Sequence, residues 1–265
     1  MVKKLTPKSD ILRPQEITKN LKTKIIGKKI YFFKKIPSTN LYAKQLVKDS
    51  IEEGTIIVAD VQTHGRGRKN RYWHSPTGGL WFSVVLYPNI PADRGMLITM
   101  ASCVSVAQAF KKITGINPEI KWPNDLLFNG KKTCGILTEI DADLDKINYI
   151  IVGIGINVNN DIDEELKKIA ISLKQVTGVE ISLINLLRSI LQHLDLNYNK
   201  LILGDFNSIK KLWLSYSSII GREIQVEDEK IVTRGEVIDI DDSGYIILKT
   251  DSGIDKIVSG DVKYL

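Results

Sequence analysis

The sequence predicts an α+β fold, in which a mixed, largely antiparallel sheet with helices is followed by a small β-barrel. Before residue 219, apolar runs of strand length alternate with stretches of helical spacing. After it, short β-prone runs alternate with turns of aspartate, serine and glycine, as in small antiparallel barrels. We therefore divide the chain into a basic lead-in over residues 1–24, a main domain over 25–218 and a barrel domain over 219–265.

Turn and capping signals predict the first elements of the main domain. Apolar runs on both sides of Gly27 predict a β-hairpin over about residues 24–33. A helix is predicted after Pro37, because the hydroxyls of Ser38 and Thr39 are placed to cap its first turn.

Hydrophobic spacing predicts the later elements. Apolar residues at i, i+3 and i+4 predict a core helix over 93–113. The main-domain strands are predicted at 55–61, 80–87, 119–122, 133–140 and 147–157, and helices fill roughly 182–217. The strands of the barrel domain are predicted at 223–226, 232–239, 245–249 and 254–258.

The composition is that of an ordinary globular protein. With 43% hydrophobic and 26% charged residues, a chain of 265 residues can bury a core without metal or disulfide staples. The two cysteines, Cys103 and Cys134, lie far apart in the sequence, which fits a reducing compartment. We find no apolar run near the ~18 residues of a membrane span and no secretory signal, so we expect a cytoplasmic protein without a membrane partner.

The net charge of +6 is concentrated at the N-terminus. Residues 1–35 contain eleven of the 37 Lys and Arg residues and only two acidic residues, so the rest of the chain is slightly acidic. This arm could attract phosphate, although a solvated lead-in is the more ordinary interpretation. We expect at most weak, salt-sensitive DNA binding without sequence preference.

A basic loop connects the two strands predicted at 55–61 and 80–87. Glycines and an asparagine that tolerate unusual backbone angles separate its cations, and Trp73 lies beside them. Because guanidinium groups and exposed backbone N–H groups bind phosphate and carboxylate oxygens, the loop predicts an anion site. The residues of the loop that carry this prediction are Gly65, Arg66, Gly67, Arg68, Lys69, Asn70 and Arg71.

A second polar cluster follows the strand predicted at 119–122. A proline places the amide of Asn124 and the carboxylate of Asp125 together in a turn, where Asp125 could hold a Mg²⁺ ion that bridges phosphates. Lys132 starts the next strand and could neutralise a carboxylate or phosphate as a point charge, and Lys131 is the neighbour that could take this role instead.

Other nucleotide-binding and metal-binding motifs are incomplete in this sequence. The run Gly130-Lys131-Lys132-Thr133 resembles the end of a P-loop, but position 125 lacks the required glycine. A dinucleotide fingerprint starting at Gly153 has valine at its sixth position. The three histidines show no metal-ligand spacing.

Taken together, the motifs resemble those of biotin–protein ligases, in the order typical of that family and over nearly the whole chain from about residue 25. They are Pro37-Ser38-Thr39-Asn40, Gln62-Thr63, Gly65-Arg66-Gly67-Arg68 with Arg71 and Trp73, Lys121-Trp122-Pro123-Asn124-Asp125, Lys132-x-x-Gly135-Ile136-Leu137 and Gly153-x-Gly155-Ile156-Asn157. The resemblance implies a class II synthetase-like catalytic domain and an SH3-like C-terminal barrel.

The resemblance also implies roles for individual residues. It implies that Ser38, Thr39, Asn40 and Gln62 contact biotin. It also implies that Arg66, Gly67 and Arg68 belong to a loop that orders over biotinyl-5′-AMP. Lys132 is implied to contact carboxylate and phosphate oxygens and, with Arg66 and Arg68, to be catalytic. The remaining implied ligand-binding residues are Trp73, Asn124, Asp125, Gly153, Gly155 and Asn157. Asn70 departs from the glycine typical of the family, but asparagine tolerates a positive φ better than most residues.

As a member of this family the protein would use biotin, ATP and Mg²⁺. It would transfer biotin to a lysine of a biotin carboxyl carrier protein or domain, and a homodimer is possible. Only 37 residues precede Ser38, so we expect no helix-turn-helix domain, no specific DNA partner and no repressor activity.

Two other functions are considered. A lipoate or octanoate ligase or transferase of related fold would need a different loop and a tunnel for a longer acyl chain, and Lys121-Trp122-Pro123-Asn124-Asp125 argues against it. A nucleic-acid-binding module would use the basic arm and the barrel, but the residues after 219 contain many carboxylates.

Overall fold

The computed structural model describes residues 12–144, 146–228 and 231–265, so most of the predicted lead-in lies outside the described residues. Within these ranges the helices are α1 (Pro14–Thr18), α2 (Thr39–Val47), α3 (Met96–Thr114), α4 (Leu173–Thr177), α5 (Leu183–Ile202) and α6 (Phe206–Ser215). The strands are β1 (Ile30–Ile36), β2 (Ile56–Gln62), β3 (Leu80–Leu86), β4 (Glu119–Lys121), β5 (Asp125–Phe128), β6 (Lys131–Ala142), β7 (Ile147–Ile156), β8 (Glu223–Asp228), β9 (Ile231–Ile240), β10 (Ile246–Thr250), β11 (Gly253–Ile257) and β12 (Asp261–Tyr264).

The main sheet has seven strands in the order β1-β2-β3-β7-β6-β5-β4. The pair β1–β2 is parallel and the other neighbouring pairs are antiparallel, which confirms the predicted mixed, largely antiparallel sheet. All residues of β3 are buried, as its apolar sequence requires. Strand β5 was not predicted: Asp125 was expected in a turn, but it begins this strand, which pairs with both β4 and β6.

The core helix α3 packs against β6 on one side and against α5 and α6 on the other. No uninterrupted apolar run of span length occurs in the sequence, but Ala92–Thr114 is long and apolar enough to cross a membrane by length and composition. However, 72% of its apolar window is buried inside the fold. Its composition is therefore explained by its place in the core.

The C-terminal strands form an open five-stranded antiparallel sheet in the order β11-β10-β9-β8-β12. Because β11 and β12 lie at opposite edges, the closed barrel is not confirmed among the described residues. Apolar side chains of this sheet, such as Ile224 and Leu248, belong to the same buried cluster as the main domain. The indole of Trp122 also donates to the carbonyl of Gly244 at 3.1 Å, so the two parts are packed together.

The hairpin predicted over residues 24–33 was wrong. β1 pairs with β2 in parallel, and residues 24–26 lie in a turn instead of a strand. The backbone N–H groups of Lys24, Ile25 and Ile26 donate to the buried carboxylate of Asp195 on α5, at 2.8–2.9 Å. A side chain far away in the sequence thus satisfies the donors that a hairpin partner would have bonded.

Candidate functional site

A cavity of ≈ 580 Å³ opens between the main sheet, the basic loop and β12. All the sequence-predicted site residues line it: Ser38, Thr39, Asn40, Gln62, Arg66, Gly67, Arg68, Trp73, Asn124, Asp125, Lys132, Gly153, Gly155 and Asn157. The sheet brings them together because β2, β6 and β7 and the start of α2 all contribute to the same wall. Their roles toward a ligand stay predictions.

Uncharged polar side chains from the start of α2 and the end of β2 line part of the cavity. Gln62 accepts from the backbone N–H and the hydroxyl of Thr39, at 2.8 and 3.1 Å, and its amide donates to Ser75 at 3.0 Å. The hydroxyl of Ser83 lies 2.7 Å from that of Thr39. The predicted capping of α2 by hydroxyls was therefore wrong: Ser38 makes no side-chain cap bond, and Thr39 bonds to the cavity wall.

Asn40 is fixed between two strands. Its amide nitrogen donates to Glu139 on β6 at 2.8 Å, and its amide oxygen accepts from Ser83 on β3 at 2.6 Å. The side chain lies so close to Gly153 that a Cβ on that glycine would stand 2.3 Å from the oxygen of Asn40. Gly153 is therefore required for space, because any side chain there would displace an amide that is held on both sides.

Replacing Gly153 by alanine is expected to reduce binding of the ligand by about 10-fold. Extra atoms in a packed, hydrogen-bonded wall cost about 1–3 kcal/mol, and Asn40 cannot move without losing its partners. Calorimetric titration of biotin measures the effect. The loss of biotin affinity caused by Gly153→Ala should largely disappear in an Asn40→Ala background. An equal loss in both backgrounds would contradict this explanation.

The indole of Trp73 lines the cavity and lies against Gly135 and Gly155 of the main sheet. A Cβ on Gly155 would stand 2.4 Å from the indole nitrogen, so the absence of a side chain leaves room for the ring. The ammonium of Lys132 stands 5.0 Å from the ring centroid, within the range of a cation–π contact. The indole of Trp73 gives this part of the cavity an apolar surface, and the ammonium of Lys132 gives it a positive charge.

Lys132 is fixed by its backbone and by its side chain. Its N–H donates to Ile169 at 2.8 Å, and its ammonium lies 2.7 Å from a carboxylate oxygen of Asp125. The neighbouring Lys131 bonds to the carbonyl of Lys167 at 2.8 Å and does not line the cavity. The geometry therefore favours Lys132 over Lys131 as the lysine that meets the ligand.

A resident magnesium site is not formed by the described residues. They contain no group of three or more acidic, histidine or cysteine side chains that could hold a metal ion, and the Asp125 carboxylate is paired with Lys132. This donor set does not fit a resident ion. Contact between Asp125 and magnesium brought by a nucleotide stays a prediction.

The basic loop is docked on the C-terminal sheet. Arg68 donates to the carbonyl of Gly260 at 3.1 Å, and Arg71 bonds to the carboxylate of Asp261 at 2.7 Å. Burial favours a higher pKa for Asp261, but the bond from Arg71 and the charges of Lys69 and Arg68 outweigh it, so the pKa lies below its usual value. Burial lowers the pKa of Arg68, and Asp261 opposes that shift. The contacts hold the loop on acidic groups near the cavity.

The loop has positive φ angles at two adjacent residues, of which only Asn70 was expected to tolerate one. Asn70 has φ of 56° and Lys69 has φ of 52°. Gly65 is needed for a close approach, because a Cβ there would stand 2.3 Å from the carbonyl of Trp73. The asparagine at position 70 is thus compatible with the loop geometry.

Two predicted contact residues use their side chains to hold the protein together. Asn124 donates to the carbonyl of Ile136 at 2.5 Å, and the amide oxygen of Asn157 accepts from Asn160 at 3.1 Å. Both residues border the cavity, but these amide groups are already engaged within the fold.

Ser83, Glu139 and Asp261 were missed by sequence reasoning. Ser83 had a usable signal, since it is the polar residue in an otherwise apolar strand, whereas Glu139 lies on a strand that mixes polar and apolar residues and gave no such signal. Asp261 is one of many acidic residues after 219, and no local pattern distinguishes it.

Comparison with known proteins gives a consistent result. Residues 32–157 match the biotin/lipoate A/B protein ligase family, and residues 219–263 match the biotin protein ligase C terminal domain. The chain is 40% identical to the bifunctional ligase/repressor BirA of Bacillus subtilis, over 98% of this chain and 81% of that protein. It is 28% identical to the biotin–[acetyl-CoA-carboxylase] ligase of Paracoccus denitrificans, over 85% of this chain and 96% of that protein.

The fold is similar to that of solved proteins as well. The structure of the biotin protein ligase from Aquifex aeolicus in complex with biotin and ATP superposes with a TM-score of 0.77 and 32% identity. The match covers 90% of this chain and 99% of that one. The similarity therefore includes both the main sheet and the C-terminal sheet.

Proposed function

Because this chain belongs to the biotin/lipoate A/B protein ligase family, we propose that it activates biotin with ATP and transfers it to a lysine of a biotin carboxyl carrier protein or domain. The ligase activity toward biotin is supported by the family and by the relatives named above. The observation that carries the proposal is the composition of the cavity lining, which combines hydroxyl and amide groups with the cations Arg66, Arg68 and Lys132.

The chemical groups of biotin match this lining. The side chains of Ser38, Thr39 and Gln62 offer donors and acceptors for an uncharged ureido ring. Apolar lining from Phe82 and Trp73 suits an aliphatic tail. Lys132, a cation in the same lining, would pair with the carboxylate at the end of such a tail.

The reaction needs positioning and charge rather than a protein nucleophile. A biotin carboxylate oxygen forms a bond to the α-phosphorus of ATP, the bond to the β-phosphate oxygen breaks, and pyrophosphate leaves. Arg66, Arg68 and Lys132 are the cations that would stabilise the developing negative charge. The neutral amine of the acceptor lysine then attacks the acyl carbon, AMP leaves with the bonding electrons, and the amine loses its proton.

Pyrophosphate release tests the first step. We expect release that depends on biotin in the presence of ATP and magnesium, and background release with lipoate or octanoate. Transfer is tested by mass spectrometry of a biotin carboxyl carrier domain after incubation with the complete reaction. Release driven by lipoate or octanoate instead of biotin would reject the proposed substrate.

We also propose that the chain has no operator-specific repressor activity. In residues 12–37 the only described helix, α1, has five residues and packs against α5, which does not suit it for reading a DNA groove. A footprint on a discrete operator at physiological salt, sharpened by biotin and ATP, would contradict this proposal. The cytoplasmic location and the homodimer stay predictions.

Arg68→Gly is expected to make adenylate retention poorer. It removes a cation from the cavity and the bond to Gly260, so closing the loop costs entropy without the compensating contacts. We expect about 10-fold faster escape of the intermediate and increased labelling of bystander lysines, measured by filter binding and streptavidin blotting.

Lys69→Ala is the matched variant for that experiment. Lys69 also contacts the C-terminal sheet, 3.5 Å from Asp228, but does not line the cavity. Equally fast escape of the adenylate from both variants would mean that docking of the loop on the C-terminal sheet retains the intermediate, without a contribution from the Arg68 cation in the cavity. If Arg68→Gly retains the adenylate as well as the wild type does, Arg68 is not the residue that holds the intermediate. Arg66 or Arg71 is then the residue to test next.

A further inference from the structure

We propose that Glu139 is a positioning residue that orients Arg66 for adenylate formation. The inference rests on the proposed function, because it concerns the same cavity. No sequence motif had singled out Glu139, which follows Gly135-Ile136-Leu137 on β6. Its side chain is 21% exposed and faces α2 and the basic loop.

The carboxylate of Glu139 connects three elements. One oxygen accepts from Asn40 at 2.8 Å and the other lies 2.7 Å from the ammonium of Lys44. Asn40 and Lys44 are four residues apart and so lie on the same face of α2. The second oxygen also lies 3.6 Å from a terminal nitrogen of Arg66 in the basic loop. Glu139 therefore joins β6, α2 and the loop through a single negative charge.

The distance to Arg66 is informative. At 3.6 Å the two groups attract each other but are too far apart for a good hydrogen bond. The Nε and Nη2 atoms of Arg66 are buried and make no hydrogen bond with any described residue. A buried donor without a partner is costly, and an incoming anion would satisfy it. Glu139 thus holds the guanidinium in place electrostatically and leaves its donors free.

This arrangement suits a reaction in which charge develops after binding. A cation that is oriented beforehand stabilises the transition state without reorganising during the reaction. Without the Glu139 charge, the Arg66 side chain would sample other directions, and a displacement of about 1 Å is enough to slow a reaction strongly. The loss should therefore appear in the rate at saturating biotin more than in the biotin concentration for half-maximal rate.

Single-turnover pyrophosphate release from the full chain tests the proposal. We expect Glu139→Gln, which keeps the shape and an acceptor for Asn40, to lower the rate at saturating biotin about 10-fold. Glu139→Asp keeps the charge and should be nearer to wild type. Lys44→Met, which removes the other cation on the same oxygen and lies outside the cavity lining, should stay within about 2-fold.

A double-variant cycle asks whether Glu139 acts through Arg66. In an Arg66→Ala background, Glu139→Gln should lower the rate by less than about 2-fold. An equal loss in both backgrounds, a faster Gln than Asp variant, or a wild-type rate in Glu139→Gln would overturn the proposal. A wild-type chain that releases no pyrophosphate with biotin would instead reject the proposed function.

Discussion

Lys132→Ala is expected to slow adenylate formation about 10²–10³-fold, as removal of a single charge-stabilising donor does in other acyl-transfer sites. The ammonium is held by Asp125 at 2.7 Å and lies over the indole of Trp73, so it is already in place before the reaction. Its removal also leaves the Asp125 carboxylate uncompensated beside incoming phosphates. Both effects act on the transition state more than on the folded chain.

Stability should change little in the same variant. The side chain of Lys132 is 31% exposed, so its loss is expected to cost no more than about 1 kcal/mol of unfolding free energy. Single-turnover pyrophosphate release and urea unfolding, measured on the same preparation, separate the two quantities.

Lys131→Ala is the control for that prediction. It removes an adjacent lysine whose ammonium bonds to the carbonyl of Lys167, outside the cavity. We expect its rate to stay close to wild type. A slow Lys131 variant together with a fast Lys132 variant would reverse the assignment.

The sequence could predict those features that depend on local spacing. The apolar run at 80–87 corresponds to β3, which is buried on both faces, and the run at 55–61 corresponds to β2, whose first four residues are buried. The helix predicted over 93–113 is the core helix α3. The cavity residues could be found because they occur in short motifs that resemble those of biotin–protein ligases. Their meeting in one cavity follows from antiparallel pairing of β3, β6 and β7.

Features that depend on distant partners could not be predicted in this way. The docking of Arg71 on Asp261 joins residues that are 190 positions apart, and each residue alone is an ordinary surface charge. The closed barrel was predicted from short strands and turns, but these signals do not determine which edge strands pair. The same holds for Glu139, whose role depends on where α2 packs.

The error at residues 24–33 has the same origin. Ile25 and Ile26 are β-prone and Gly27 is a good turn residue, so the local signal for a hairpin was real. The competing partner is Asp195, about 170 residues later. Its carboxylate offers stronger, charge-assisted bonds to the same N–H groups than a short hairpin strand could.

Asp195→Ala is therefore expected to destabilise the chain by about 2–4 kcal/mol. The substitution leaves the N–H groups of Lys24, Ile25 and Ile26 without their acceptor, and buried unsatisfied donors cost about 1–3 kcal/mol each. Water can reach the first two in part, so the costs do not add fully. Asp195→Asn should lose less, because one amide oxygen can still accept. Urea unfolding followed by circular dichroism measures the change.

Leu196→Ala provides the matched comparison on the same helix. Leu196 is 62% exposed, and alanine is a good helix former, so we expect a change within about 0.5 kcal/mol. If Asp195→Ala unfolds at the wild-type urea concentration, the three N–H groups find other partners and the turn does not depend on Asp195. If it unfolds earlier as expected, Asp195 stabilises the turn that leads into β1 and from there to the Ser38-Thr39-Asn40 part of the cavity.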